Sequence, residues 1–337
     1  MTNTSERKYT VCGLGNAIMD LQLRVSEQEF LDLGIDRAGM RLVDLEEQEN
    51  LLRRFEHHIV KAASGGSATN TIIAMAQLGA KVAYGCCVGN DEYGQYYLRE
   101  LRDLGVACEG VTIDELSTGT CVVLITPDAE RTMNTHLGAS AQFATEHVST
   151  QAIADAQWLY IEGYLFSTEC GQDAVKYAIR VAQENNVRIA VSFSDGFIVE
   201  AFRQPLLDAV EAADLVFANM SEAQHFVSCS DQHEAFDSLK KFVPNVVMTM
   251  KDKGARVCFG GEDVYVEGFP VEAVDETGAG DMFAGAFLYG ITHGHSVEQS
   301  AKLGCLLASR VVTQFGPRLE VDPREIMSSC PEIQLLR

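Results

Sequence analysis

One stretch constrains this chain more than any other. Val274-Asp275-Glu276-Thr277-Gly278-Ala279-Gly280-Asp281 runs directly into Met282-Phe283-Ala284-Gly285-Ala286-Phe287-Leu288-Tyr289-Gly290-Ile291. The second half is apolar on every face, the pattern of a helix buried all round rather than one lying on a surface. Such a helix begins with backbone N–H groups that have no partner inside it. Gly278, Ala279 and Gly280 leave those groups unobstructed, and with the helix dipole they form a site for an anion. Asp281 falls in the first turn, beside the place the anion would take. A cradle for charge and a carboxylate within one turn suit phosphoryl transfer to a hydroxyl. The backbone would hold the developing charge while the carboxylate takes the proton of the attacking oxygen. Taken alone, the same residues also read as a tight turn followed by a helix-capping aspartate. A carboxylate in a helix first turn is expected to have a depressed pKa, and a loose transition state tolerates so weak a base.

The rest of the chain supplies the context. Lys8 to Gly15 reads as a strand entering a glycine turn, after which residues 18–25 alternate like a strand. A dinucleotide fingerprint would need a third glycine and a helix there; Ile18 stands in that place, so that reading fails. Asn16 and Asp20 instead set polar side chains where the chain leaves the sheet, or are simply a turn asparagine and a strand-edge aspartate. A helix from Asp44 to His58 precedes Ser64-Gly65-Gly66-Ser67-Ala68-Thr69-Asn70, and a helix then runs from Thr71 to Gly79. Val82–Val88 reads as one buried strand and 91–104 as a helix. Two strands within 118–136, joined at Pro127-Asp128, form a hairpin that breaks the α/β rhythm. With the extended stretches 18–25 and 38–44 they could build a small separate sheet. From Trp158 the alternation is regular, with strands at 158–162, 187–193, 214–218 and 245–250. The helices expected between and after these lie at 169–185, 197–210, 221–228 and 231–242. That rhythm means a parallel sheet covered on both faces, with ligands at its C-terminal strand ends. Asn219-Met220-Ser221-Glu222 and Thr249-Met250-Lys251-Asp252-Lys253-Gly254 fall at such ends.

Asp275-Glu276-Thr277-Gly278-Ala279-Gly280-Asp281, together with Gly65-Gly66 and the asparagine four residues on, resembles the two signatures of the ribokinase-like (PfkB) carbohydrate and nucleoside kinases. The resemblance spans residues 8–320. It implies a single α/β domain over 1–337, with a central, mostly parallel sheet flanked by helices. A small β-sheet lid would come from discontinuous segments near 18–25, 38–44 and 106–136. It implies Asp281 as catalytic base and Gly278, Ala279 and Gly280 as anion hole. Asn16, Asp20, Gly65, Gly66 and Asn70 would grip the acceptor, and an aromatic near Tyr164–Phe166 would stack on a base. Asn219 and Glu222 would act on magnesium and phosphate, with Thr249, Gly254 and Ala308 at the nucleotide. The cofactors implied are ATP and Mg2+, with a monovalent cation as a further candidate. Two positions depart from the family: Glu276 replaces a small or hydroxyl residue, its side chain expected to point outward, and Lys251 replaces a glycine, from where a lysine could reach ATP phosphates. Thr118-Gly119-Thr120-Cys121, the Gly15-Asn16 to Asp20 spacing and Trp158–Phe166 look more like adenosine kinases than ribokinase. The rivals are a ribokinase- or fructokinase-like sugar kinase and a non-catalytic ligand sensor, the latter having no need of the base.

Charge excludes other classes. A formal net charge of −22 over 337 residues argues against nucleic acid or an anionic membrane as partner. No apolar run is long enough to span a bilayer, and the polar start at residues 1–8 suggests the cytoplasm. The ten cysteines include no CxxC pair, which argues against a disulfide framework. His57-His58 and His293-Gly294-His295 lack the partners of a metal motif. The expected partner is a small nucleoside or sugar, bound by a monomer or by a homodimer formed through the lid.

Overall fold

Runs such as Trp158-Leu159-Tyr160-Ile161 can be buried on both faces only inside a sheet with helices above and below. The computed structural model, which describes residues 7–37, 39–128 and 130–329, shows such a sheet. Residues 1–6 and 330–337, and Ala38 and Ala129 of the expected lid, lie outside the described residues. Across the sheet the strands are Glu262–Val266, Ala255–Phe259, Val246–Thr249, Leu215–Asn219, Arg188–Ser192, Ala156–Glu162, Tyr9–Leu14, Val82–Gly85 and Ala107–Cys108. All pairings are parallel except the two made by Ala255–Phe259. The chain builds outward from Tyr9–Leu14 toward one edge, then returns to Ala156–Glu162 on the other side and builds toward the other edge. The crevice beyond these two central strands is therefore a topological switch point. Asn16 and Glu162 sit at its rim, and Asn219 is paired with Thr249 two strands away.

A second sheet stands apart from the first, with strands in the order Gly39–Leu42, Arg131–His136, Gly119–Ile125, Ile18–Arg24 and Ile59–Gly65. Alternation gives it two faces. Leu21, Leu23, Val122 and Leu124 pack under Leu51 and Phe55 of the helix Leu45–Phe55, while Ile18, Cys121, Val123 and Ile125 form a second apolar layer with Met133 and Leu137.

The differences from the sequence reading have local causes. Residues 82–88 divide at Cys86: Val82–Gly85 joins the large sheet and Cys87–Gly89 pairs with Val111–Ile113. The lid segment expected over 106–136 contributes only 119–125 and 131–136, because Ala107–Cys108 closes an edge of the large sheet. The helix expected at 197–210 breaks at Phe202 into Gly196–Ala201 and Arg203–Ala212. Pro205 accounts for this, since its ring would meet the carbonyl of Ala201 in a continuous helix. Strand Ile59–Gly65 was hidden in a short run after the helix. The helix expected from Thr71 starts at Ser67, because Gly66 turns the chain with φ 99°.

Helix Ala279–Thr292 is buried nearly all round, as its composition dictates, between helices Ser67–Gln77 and Val297–Val311. The approach to Ser67–Gln77 depends on Gly285, where a Cβ would lie 2.6 Å from the Thr71 carbonyl oxygen and 2.9 Å from Ala74 Cβ. Gly285→Ala is expected to cost about 1–3 kcal/mol by overpacking. Calorimetry should show a melting temperature lowered by several degrees, and an unchanged one would mean the two helices can part without penalty.

Candidate active site

The strand ends of the large sheet and one face of the second sheet enclose a cavity of about 630 Å³. Gly278 begins the turn at its centre with φ 77°, pressed so closely on Pro317 that a Cβ would lie 2.6 Å away. Gly280 is different: a Cβ there would meet nothing within 4 Å. The fold does not require glycine at 280, so the open space in front of its backbone is room for a ligand. Arg131 reaches from the second sheet to pair with Asp275 and to donate to Thr277. Asp275 in turn accepts from Thr277 N at 2.7 Å and from Gly316 N at 2.7 Å, which fixes the turn from behind.

Asp281 is held from two sides by the start of the neighbouring helix. Ser67 Oγ donates to Oδ1 at 2.6 Å and Asn70 Nδ2 donates to Oδ2 at 3.0 Å. Its pKa is not depressed, as the helix position alone suggested. Burial pushes it up to about 6, against the opposing pull of those two donors. A base poised there is stronger than an ordinary aspartate and still ionised at neutral pH.

On one side of Asp281 lie the residues expected to grip an acceptor. Asp20 lies so close to Gly65 that a Cβ there would be 2.2 Å from its carboxylate. Gly66 likewise leaves room for the Asn16 carbonyl, 2.2 Å from where a Cβ would stand. Burial raises Asp20 to about 7. Asn70 Oδ1 is buried with no hydrogen-bond partner, an acceptor left available in the wall. Glu162, absent from the sequence-level site, accepts from Asn16 N at 2.6 Å and Ala68 N at 2.7 Å. It thereby ties the Asn16 turn to the helix carrying Ser67 and Asn70, and burial pushes it up to about 8. Ile18, Met40, Leu42, Met133 and Leu137 of the second sheet and its flank add an apolar part to the lining.

Of the aromatics at 164–166, Phe166 is buried in the core with Tyr160 and does not line the cavity. Tyr164 does line it, but its hydroxyl donates to Asp195 Oδ2 at 3.3 Å, and Asp195 and Glu222 are among the charges nearest to it.

On the other side of Asp281, Asn219 and Glu222 cap helix Met220–Val227 reciprocally. Glu222 N donates to Asn219 Oδ1 at 2.9 Å, while Glu222 accepts from Asn219 N at 2.9 Å and from Asn219 Nδ2 at 2.6 Å. The helix-cap reading of Asn219 is thus realised, and Glu222 remains on the cavity wall with its pKa raised by burial to about 7. Among the described residues no group of three or more His, Cys, Asp or Glu could hold a metal. These residues fit a divalent ion that arrives on phosphates and keeps its waters, not one in an all-protein cage. Thr249, Gly254, Ala308 and Ser309 also line this side. Gly254 has φ 101°, and a Cβ there would stand 2.0 Å from the Val266 carbonyl oxygen, so its glycine serves the turn itself. Glu276, expected to point outward, is 67% exposed but also lines the cavity beside Lys251.

The arrangement joins an anion turn, a poised carboxylate, a polar and apolar pocket on one side and a second pocket on the other. Gly280→Ala should fold normally and fill the space before the turn. We expect phosphoryl-transfer turnover to fall by about 10²–10³, the range for losing an oxyanion donor, at unchanged melting temperature. Turnover near that of the unaltered chain would mean no anion approaches Gly280.

The pattern of the pfkB family carbohydrate kinases matches residues 35–323. An adenosine kinase of Schizophyllum commune is 30% identical over 343 aligned positions, covering 93% of this chain and 97% of its own. A solved structure described as a "probable sugar kinase protein" of Rhizobium etli CFN 42 superposes with TM-score 0.91 at 36% identity, covering 96% of this chain and 98% of its own. Adenosine kinase from Sinorhizobium meliloti gives TM-score 0.89 at 34% identity, over 94% and 98% respectively. Among the described residues no helix is long and apolar enough to cross a membrane.

Proposed function

The chain belongs to the pfkB family of carbohydrate kinases, enzymes that phosphorylate a hydroxyl, and on that premise we propose that it moves the γ-phosphoryl of ATP to the primary hydroxyl of a ribonucleoside, adenosine being the acceptor. The observation that carries the nucleoside reading is the double character of the acceptor pocket. Asp20, Asn16 and the unpartnered Asn70 Oδ1 suit the hydroxyls of a ribose. Ile18, Met40, Leu42, Met133 and Leu137 offer an apolar face that a free sugar could not use and a flat base could. These residues, not the Tyr160–Phe166 aromatics, take the part of covering the base.

In this reading the nucleotide lies along Thr249, Gly254 and Ala308, with its terminal phosphate before Gly278–Gly280. Magnesium would come with the ATP phosphates, held by Asn219 and Glu222 through water, and would supply neutralising charge. Asp281, ionised at neutral pH, accepts the proton of the acceptor hydroxyl as the phosphoryl group transfers. Ser67 and Asn70 hold its oxygens toward that proton. Backbone N–H groups of the turn meet the charge on the transferred group. The Arg131 guanidinium, bound to Asp275 and Thr277, keeps a positive charge behind the turn.

Two measurements test this. Because the base must be ionised, kcat/KM should fall as pH drops through about 6, the raised value of Asp281. Ser67→Ala removes a donor to the ionised form and should move that acid limb upward; an unmoved limb would assign it to another group. The second is substrate choice at saturating ATP. Adenosine should show a larger kcat/KM than ribose or fructose at equal concentration, and the reverse order would return the chain to the sugar kinases.

A further inference from the structure

The cavity is short of positive charge. Asp20, Glu162, Glu222, Asp252, Glu276 and Asp281 line it, whereas Lys251 is the only lysine or arginine to do so among the described residues. Lys251 Nζ lies 3.2 Å from Glu276 Oε2, with the two side chains 79% and 67% exposed. The pair bridges two turns. Lys251 opens the turn that follows strand Val246–Thr249, and Glu276 stands just before the anion turn. These are also the two positions at which the sequence departs from its family, and the departures meet each other. Lys251 has φ 53°, a left-handed conformation that favours glycine and strains an L side chain. A lysine retained at a strained position on a ligand cavity points to a use for its charge. An exposed pair contributes only about 0–1 kcal/mol, so Glu276 restrains Lys251 loosely.

We propose that Lys251 is a polyphosphate ligand parked on Glu276, transferred to the nucleotide on binding and taken back as the nucleotide leaves. This rests on the kinase reading above and deepens it. A triphosphate entering a cavity lined by six acidic side chains and a single lysine meets little positive charge, and an ammonium on a flexible four-carbon stem is a charge that can follow it. Breaking the Glu276 pair offsets part of what the lysine contributes to a bound polyphosphate, so the nucleotide is held less tightly than by a free lysine.

The test is calorimetric binding of a non-hydrolysable ATP analogue and of ADP, both with magnesium. The proteins are the full-length unaltered chain, Lys251→Gln, Lys251→Gly and Glu276→Gln. Lys251→Gln removes the charge and keeps the strained backbone; Lys251→Gly removes both. The analogue's Kd is expected to rise about 10–150-fold in each, the scale of one charged hydrogen bond, and to depend less on salt. Glu276→Gln frees the lysine and should lower the Kd for the analogue by at least as large a factor as that for ADP. Lys251 variants whose analogue Kd stays within about twofold of the unaltered chain overturn the proposal, as does Glu276→Gln with unchanged analogue affinity. If the unaltered chain binds neither nucleotide, the kinase reading falls and takes this proposal with it. Nucleotide binding that ignores both positions overturns this proposal alone.

Discussion

Two hydrogen bonds, from the Ser67 hydroxyl and the Asn70 amide to the two oxygens of Asp281, join the helices on which the site is built. They are short because the helices come close, and the helices come close because Gly285 presents no side chain to Thr71 and Ala74. The same bonds set the chemistry. Burial alone would carry Asp281 toward a neutral acid, and the two donors draw it back to about 6. Helix packing and base strength are therefore one property of this fold.

Concentrating carboxyl groups has a cost that the native state carries. Burial is the largest cause raising Asp20 to about 7, Glu162 to about 8, Glu222 to about 7 and Asp281 to about 6. Each folded value lies above that of an unfolded carboxylic acid, about 4. Their share of stability is therefore fully present below about pH 4 and is lost as pH rises through the folded values of 6 to 8. At neutral pH the empty cavity is strained electrostatically, as active sites commonly are. Ligands that bring hydroxyls, metal or cationic partners relieve that strain.

The large sheet could be read in the sequence because both its strands and its helices repeat with clear periods. The turn at 278–280 was legible for a different reason: three small residues stand directly before an all-apolar helix, a pattern that suits an anion site and also a plain tight turn. What escaped was what periodicity does not encode. Ile59–Gly65 becomes a strand by pairing with Ile18–Arg24, a long-range event that its own residues hardly announce. Residues 82–88 look continuous because both halves are buried, yet they serve different sheets. Glu162 and Ser67 acquire roles only through partners that fold against them, 94 residues and 214 residues away in sequence. Whether the aromatics near 164–166 stack on a base or lie in the core could not be told, because a buried ring and a stacking ring are alike in sequence. The pKa of Asp281 misled because helix position was legible and burial was not.

Asp20 and Gly65 belong to the second sheet, Asp281 and Gly280 to a helix of the main body. In the proposed reaction the grip on an acceptor and the chemistry performed on it are thus mounted on different parts. Water is smaller than any sugar hydroxyl and always more abundant, yet it has no diol for Asp20 and no apolar face for the apolar part of the lining. A nucleophile is favoured here by the rest of its molecule, which fastens the two parts around it. Selectivity for an alcohol over water is in this sense a property of the seam between two sheets, and no single residue holds it.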